Sequence, residues 1–426
     1  MVSYDREAVG RSDFAFCHMP QVDSVSVGLW FRTGARYETP GLHGGAHFLE
    51  HMLFKGTARR NALQISQEIE SKGGDLNAFT AEEMTCYYAR LDADHLELVL
   101  DVLFDMLWKS NFPKEELERE RGVILEEIRM YEDQPSSLVM EQLNQALWSG
   151  HGLGRPITGS PGSVSAMKRG DLMNFWRSHY SPETLVVSVA GGVTRERIHS
   201  LTKRYVNVSR TGSKFSAPVF KAPSRSRVAL VSVPRPVQQC SLSLGVLAYP
   251  KGDKRRYALK LLSVMLGENM SSRLFQMVRE KHGLAYSINS ATAHFHETGA
   301  FYVQAGVDTP KLVKAMKLVA VELERITRKK PDEVELRRAK DYIIGQMKLH
   351  LESTTSRMMW MGESLVGLNV MLQPADVIRA IEEVTPSEVQ AVARDLFRPG
   401  RMALAVVGPE VNDTLLKEAA KPLQDL

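Results

Sequence analysis

Val22–Arg36 reads VDSVSVGLWFRTGAR, and Val237–Asp253 reads VQQCSLSLGVLAYPKGD. Both alternate apolar with small or polar residues, the period-two pattern of a strand whose two faces see different surroundings. Each then runs into an apolar stretch with helical spacing. A match of this kind, repeated about half a chain apart, predicts an internal duplication.

The similarity extends outward from these two strands. GGDLNAFTAEEMTCYYARLDADHLELVLDVLFDML (Gly73–Leu107) and YSINSATAHFHETGAFYVQAGVDTPKLVKAMKLVAVELERI (Tyr286–Ile326) each read as strand, turn, strand and long helix. EELERERGVILEEI (Glu115–Ile128) faces VELRRAKDYIIGQM (Val334–Met347), and the strands ETLVVSVAGGV and GRMALAVVGPE each lead into a closing helix. Between the copies, Val208–Arg227 is rich in Ser, Lys and Pro and reads as a linker. The expected division is an N-terminal domain over residues 1–215 and a homologous C-terminal domain over residues 216–426. Strands come in hairpin-like pairs, not in strict alternation with helices. The expected fold class is therefore α+β, each domain a mainly antiparallel sheet packed with helices.

Composition agrees with two ordinary cores: the chain has 426 residues, 43% of them hydrophobic and 24% charged. The net charge of +4 is small, and basic residues alternate with acidic ones, so a nucleic-acid partner is not expected. No apolar run has membrane-spanning length, and no membrane association is expected. The opening MVSYDREAVGRSDFAF has neither the apolar core of a secretory leader nor the Arg/Ser-rich pattern of a transit peptide. Cys17, Cys86 and Cys240 are odd in number and widely spaced, which supports neither a disulfide framework nor a cysteine metal site. A cytoplasmic location is the expectation.

The copies differ sharply in one place. Where the first has GGAHFLEHMLF (Gly44–Phe54), the second has LKLLSVMLGENM (Leu259–Met270), without histidine. On a helix His47, Glu50 and His51 share an arc of about 100°, with the histidines at i and i+4 able to hold one ion. Imidazoles and carboxylates in an apolar helix are costly unless something pairs with them. A hydrolytic zinc site commonly takes three protein ligands, His₂Glu among the known sets, so a glutamate is needed elsewhere. In Glu115–Tyr131, Leu117, Val123, Ile124, Ile128 and Tyr131 define an apolar arc, with Glu118, Gly122, Glu126 and Arg129 opposite. Glu120 and Glu127 fall inside that arc. Their aligned positions in the second copy are Ala339 and Gln346, so the carboxylates vanish where the histidines vanish. Losses in step point to one site, with Glu127 as third ligand and Glu120 as a carboxylate that orients a ligand histidine.

HFLEH, followed by a glutamate in GVILEEI, resembles the M16 (pitrilysin-like) metallopeptidases. This is the inverzincin family that includes mitochondrial processing peptidase and insulin-degrading enzyme. The similarity covers nearly the whole chain. GGDLNAFTAEEMTCYYARL resembles the family's strand pair beside the metal, and SSRLFQMVREKHGLAYSI its second-half substrate motif. Two copies in a chain of this length are most similar to bacterial short-chain members, close to the processing-peptidase subgroup. GENMSSRLF departs from the pattern, since many relatives have a more glycine-rich loop there.

The resemblance implies a zinc-dependent endopeptidase acting on oligopeptides or unfolded segments. It implies one Zn²⁺ per chain on His47, His51 and Glu127, with Glu50 as general base. It further implies that Arg279 and Tyr286 hold the substrate near its scissile carbonyl, reaching the metal of a partner subunit. Because this chain carries both halves of that machinery, a homodimer is expected, or alternatively a heterodimer with a related subunit. Asn77, Ala78 and Phe79 lie on a strand that, at a sheet edge, would take the substrate backbone as an added strand. The alternative function is a non-catalytic or partner-requiring subunit of a peptidase-like complex. That reading expects a damaged metal motif, and the motif here is intact.

Overall fold

A computed structural model describes residues 4–212, 216 and 218–426. The described part of the expected linker carries neither helix nor strand; residues 213–215 and 217, and with them the expected boundary after residue 215, lie outside the described residues. Two compact units are present.

The first unit holds a six-stranded sheet in the order β1-β2-β6-β3-β5-β4. Its strands are β1 (Asp5–Val9), β2 (Ser12–His18), β3 (Ser24–Phe31), β4 (Asp75–Thr80), β5 (Thr85–Asp92) and β6 (Leu185–Gly191). The second holds β7 (Ala229–Pro234), β8 (Cys240–Ala248), β9 (Ala285–His294), β10 (Gly299–Val307) and β11 (Met402–Gly408), in the order β7-β11-β8-β10-β9. In the first sheet β2 and β6 run parallel and every other neighbouring pair is antiparallel. In the second, β7 and β11 are the parallel pair. Set β1 aside, and the two sheets have the same strand order and the same directions. The strands that opened the sequence comparison, β3 and β8, occupy the same central place.

The units are not the two contiguous halves of the chain. Helix Pro135–Leu147 belongs to the second unit, where it lies on β7, β8 and β11, and helix Thr354–Leu368 belongs to the first, where it lies on β2, β3 and β6. A glycine in each central strand marks these contacts. A Cβ at Gly28 would stand 2.3 Å from Met358 Sδ, and one at Gly245 would stand 2.6 Å from Leu147 Cδ1. Each glycine therefore lets a helix approach its sheet closely.

The period of two along β3 separates two packed faces. Val25, Val27, Leu29 and Phe31 enter a core shared with Phe48, Leu49, Met52 and Leu53 of helix Gly45–Leu53. Trp30 points the other way and packs with Met358, Met361 and Leu365. Helix Lys114–Asp133 buries Leu117, Glu120, Ile124 and Ile128, whereas Val123, expected on the apolar arc, is 47% exposed. The buried stripe follows i, i+3 and i+4 steps, and Val123 sits about 100° round the helix from Ile124. No helix among the described residues is long and apolar enough to cross a membrane.

Candidate metal centre

Helix Gly45–Leu53 begins at Gly44, whose φ of 89° is left-handed, and a Cβ there would meet the Thr158 carbonyl at 2.7 Å. Only glycine suits both demands. Glu38, which sequence reading did not single out, satisfies the helix start: its Oε2 accepts from the Gly44 amide at 2.9 Å and its Oε1 from the Ala46 amide at 2.7 Å. Burial pushes the Glu38 carboxyl up to about 8, against the pull of those two amides and of Arg155. The segment ahead of Glu38 is tied to the β4–β5 turn. Ala35 and Arg36 donate their amides to the carbonyls of Ala81 and Glu82, and Arg36 forms a buried ion pair with Glu83.

The apolar side chains of helix Gly45–Leu53 fix its roll, and that roll brings His47 and His51 to face helix Lys114–Asp133. His47 Nε2 lies 3.6 Å from Glu127 Oε2, and His51 Nε2 lies 3.8 Å from the same oxygen. One donor atom from each of these three residues falls within 4.8 Å of the others. A tetrahedral zinc with bonds of about 2.0–2.1 Å needs ligand atoms roughly 3.3 Å apart, and the two histidine-to-Glu127 separations exceed that by about half an ångström or less.

The protonation states fit such an ion. Burial, and then the neighbouring His51, push His47 down to about 3, so its imidazole is neutral. Its buried Nδ1 has no hydrogen-bond partner, and 3.6 Å is too long for Nε2 to be bonded to Glu127. His51 Nδ1 stands 3.0 Å from Glu120 Oε2, and Lys55 Nζ stands 2.8 Å from the other Glu120 oxygen. Burial raises the Glu120 carboxyl, but the bonds to His51 and Lys55 outweigh it and hold it below the ordinary value. An anionic Glu120 fixes the proton of His51 on Nδ1 and leaves the Nε2 lone pair facing Glu127. Glu126, next along the chain, is exposed and paired with Arg129 instead.

Glu50 lies beside the three candidate ligands. Its carboxyl is raised, chiefly by burial, with Thr80 and His51 opposing and Glu127 adding to the shift. The Thr80 hydroxyl donates to Glu50 Oε2 at 2.6 Å. Thr80 ends β4, which is an edge strand, as the docking reading requires. Asn77 is exposed, and its Oδ1 accepts from the Ala78 amide at 2.8 Å. Phe79 turns inward, its ring edge-on to Trp30 at 5.7 Å between centroids.

Arg279 and Tyr286 belong to the second unit. Arg279 lies on the π-helical segment Phe275–Lys281, and Tyr286, near the start of β9, is 78% exposed. The guanidinium stands 5.7 Å from the Tyr286 ring centroid and 4.8 Å from that of Phe275, so the two residues are brought together.

Comparison with known proteins places the chain in a family. Residues 14–160 match the family profile described as insulinase (peptidase family M16), and residues 166–343 match the profile of the peptidase M16 inactive domain. An uncharacterized zinc protease of Streptomyces coelicolor is 38% identical over 92% of this chain and 86% of its own length. One of Bacillus subtilis is 36% identical over 92% of this chain and 95% of its own. Among solved structures, a protease from Helicobacter pylori superposes with a TM-score of 0.89 at 22% identity, covering 96% of this chain and all of that one. A peptidase M16 inactive domain from Pseudomonas fluorescens gives 0.87 at 20%, covering 96% and 98%. The duplicated fold, the histidine-glutamate cluster confined to one copy, and full-length relatives together identify the chain as a member of peptidase family M16.

Proposed function

We propose that the protein is a zinc-dependent endopeptidase that cleaves oligopeptides or unfolded segments, with one zinc ion per chain and Glu50 as its general base. The observation that carries this reading is the convergence of two imidazole nitrogens and a Glu127 oxygen beside a second, buried carboxyl. A zinc ion held there by His47, His51 and Glu127 supplies Lewis acidity toward the peptide carbonyl and lowers the pKa of water toward neutrality.

The chain's own residues do the rest. Glu50 takes one proton from the attacking water as the water oxygen bonds to the carbonyl carbon. It then passes that proton to the amide nitrogen as the C–N bond breaks, giving a carboxylic acid and an amine, and the acid's remaining proton leaves to the amine or to solvent. A carboxyl whose affinity for protons is raised by burial is suited to both transfers. The outward edge of β4 at Asn77 and Ala78 takes the substrate backbone as an added strand, which is indifferent to most side chains. Phe79 serves that strand by anchoring it on Trp30. Arg279 and the Tyr286 hydroxyl hold the scissile carbonyl and its developing negative charge, supplied by the partner in a homodimer.

Cleavage of an internally quenched peptide by wild type and Glu50→Gln, with metal content measured on both, tests the reading. The expected result is chelator-sensitive cleavage by wild type, and a variant that keeps its metal but loses turnover. A metal-loaded wild type that cleaves no peptide would overturn it.

A further inference from the structure

The residue that ends the docking strand also holds the base. Thr80 Oγ1 donates to Glu50 Oε2 at 2.6 Å, and the main-chain amide of Thr80 supports the same carboxylate. Among the described residues no other side chain donates a hydrogen bond to Glu50.

The backbone of β4 explains why this contact bears on catalysis. The Ala81 amide bonds the Met84 carbonyl at 2.8 Å across the hairpin, so odd-numbered residues of β4 turn their amides toward β5. By alternation, Leu76, Ala78 and Thr80 turn theirs outward, those of Leu76 and Ala78 toward an added strand and that of Thr80 toward Glu50. The outward amide of Ala78 is covered by its neighbour's side chain, Asn77 Oδ1, an acceptor that an incoming peptide carbonyl can replace. Thr80 stands two residues further on, about 7 Å along the strand. Substrate docking and the grip on the base therefore share one short, hydrogen-bonded element.

We propose that Thr80 is the positioning residue for Glu50, locking one carboxylate oxygen to the strand that receives the peptide so that the other faces the water. The inference rests on the peptidase reading with Glu50 as base. The terminal torsion of a glutamate is broad and roughly two-fold, so an unheld carboxylate samples orientations in which neither oxygen meets the water. A charge-assisted O–H···O bond of this length removes that freedom. Because the threonine hydroxyl bonds Glu50 and none of His47, His51 and Glu127, its loss acts on turnover, not on binding.

The test compares Thr80→Val, which keeps the shape and removes the donor, with Thr80→Ser, which keeps the donor. Thr80→Val is expected to lower kcat about 10- to 100-fold, with KM and zinc affinity within about two-fold of wild type, and Thr80→Ser to restore most of the loss. Wild-type kcat in Thr80→Val would overturn the proposal, as would a loss of kcat and zinc together that Thr80→Ser does not restore. A second readout is independent of turnover: in crystals of zinc-free Thr80→Val the Glu50 carboxylate should leave its wild-type position, and an unmoved carboxylate would also overturn the proposal. Wild type that cleaves nothing would instead sink the peptidase reading, and the crystals would still decide whether Thr80 holds Glu50.

Discussion

Glu120 bridges two side chains across one carboxylate: His51 Nδ1 at 3.0 Å on one oxygen and Lys55 Nζ at 2.8 Å on the other. The pair of contacts sets the tautomer of His51, a proposed ligand. Outer partners of this kind are typically worth about 10- to 100-fold in metal affinity, and Glu120→Gln should weaken zinc binding by that factor. Lys55→Met should weaken it less, because His51 keeps its acceptor. Competition against a fluorescent chelator measures both, and wild-type affinity in Glu120→Gln would contradict the assignment.

The buried Glu38 predicts a pH-dependent stability. Its folded carboxyl is raised from the ordinary 4.5 to about 8, so between those values the native state keeps a proton that the unfolded chain has released. Its contribution is therefore full below about pH 4.5 and is lost as pH rises through about 8. The whole effect is bounded by about 5 kcal/mol, at 1.36 kcal/mol per pKa unit. Denaturant unfolding of the zinc-free protein between about pH 5 and about pH 9 should show wild type losing stability with rising pH more steeply than Glu38→Gln. Equal slopes would mean that the carboxyl is ionised throughout.

A packing prediction concerns the helix that rests on the first sheet. A Cβ at Gly362 would lie 2.0 Å from Trp30 Cε2 in a closed core, whereas one at Gly41 would meet nothing within 4 Å. Overpacking costs roughly 1–3 kcal/mol and more when neither side can yield, which exceeds the gain of about 1 kcal/mol in helix propensity from Gly to Ala. Gly362→Ala should lower the melting temperature and Gly41→Ala should leave it unchanged. A thermal scan of both variants checks this.

Mixing two inactive variants tests whether a partner subunit supplies Arg279 and Tyr286. Glu50→Gln lacks the proposed base but keeps both proposed donors, and Arg279→Ala keeps the proposed base. If the donors act across a homodimer, each mixed dimer has one complete site, and random reassortment of equal amounts should restore about a quarter of wild-type activity. Donors acting within their own chain would give no restoration.

Much of the site could be read before any coordinates. A helical period places His47, Glu50 and His51 on one face, and the same period singles out Glu120 and Glu127. The structure finds both carboxylates facing the two histidines. What sequence periodicity could not supply was contact between distant segments. Val123 fits an apolar pattern but lies outside the stripe that the neighbouring core covers. Helices Pro135–Leu147 and Thr354–Leu368 each join the unit opposite to their half of the chain, where Gly28 and Gly245 leave room for them. Glu38, Lys55 and Thr80 carry ordinary surface-type side chains with no local pattern. Their contacts come from the partners that the fold brings to them: a helix start, a buried carboxylate and the carboxyl of Glu50.

The most direct measurement is anomalous diffraction at the zinc edge from crystals of wild type and Glu127→Gln. A single strong peak per chain, within bonding distance of His47 Nε2, His51 Nε2 and a Glu127 oxygen, and weakened or lost in the variant, is the predicted result. A peak elsewhere, or one at the histidines that Glu127→Gln leaves unchanged in strength and position, would contradict the three-ligand site on which the account depends.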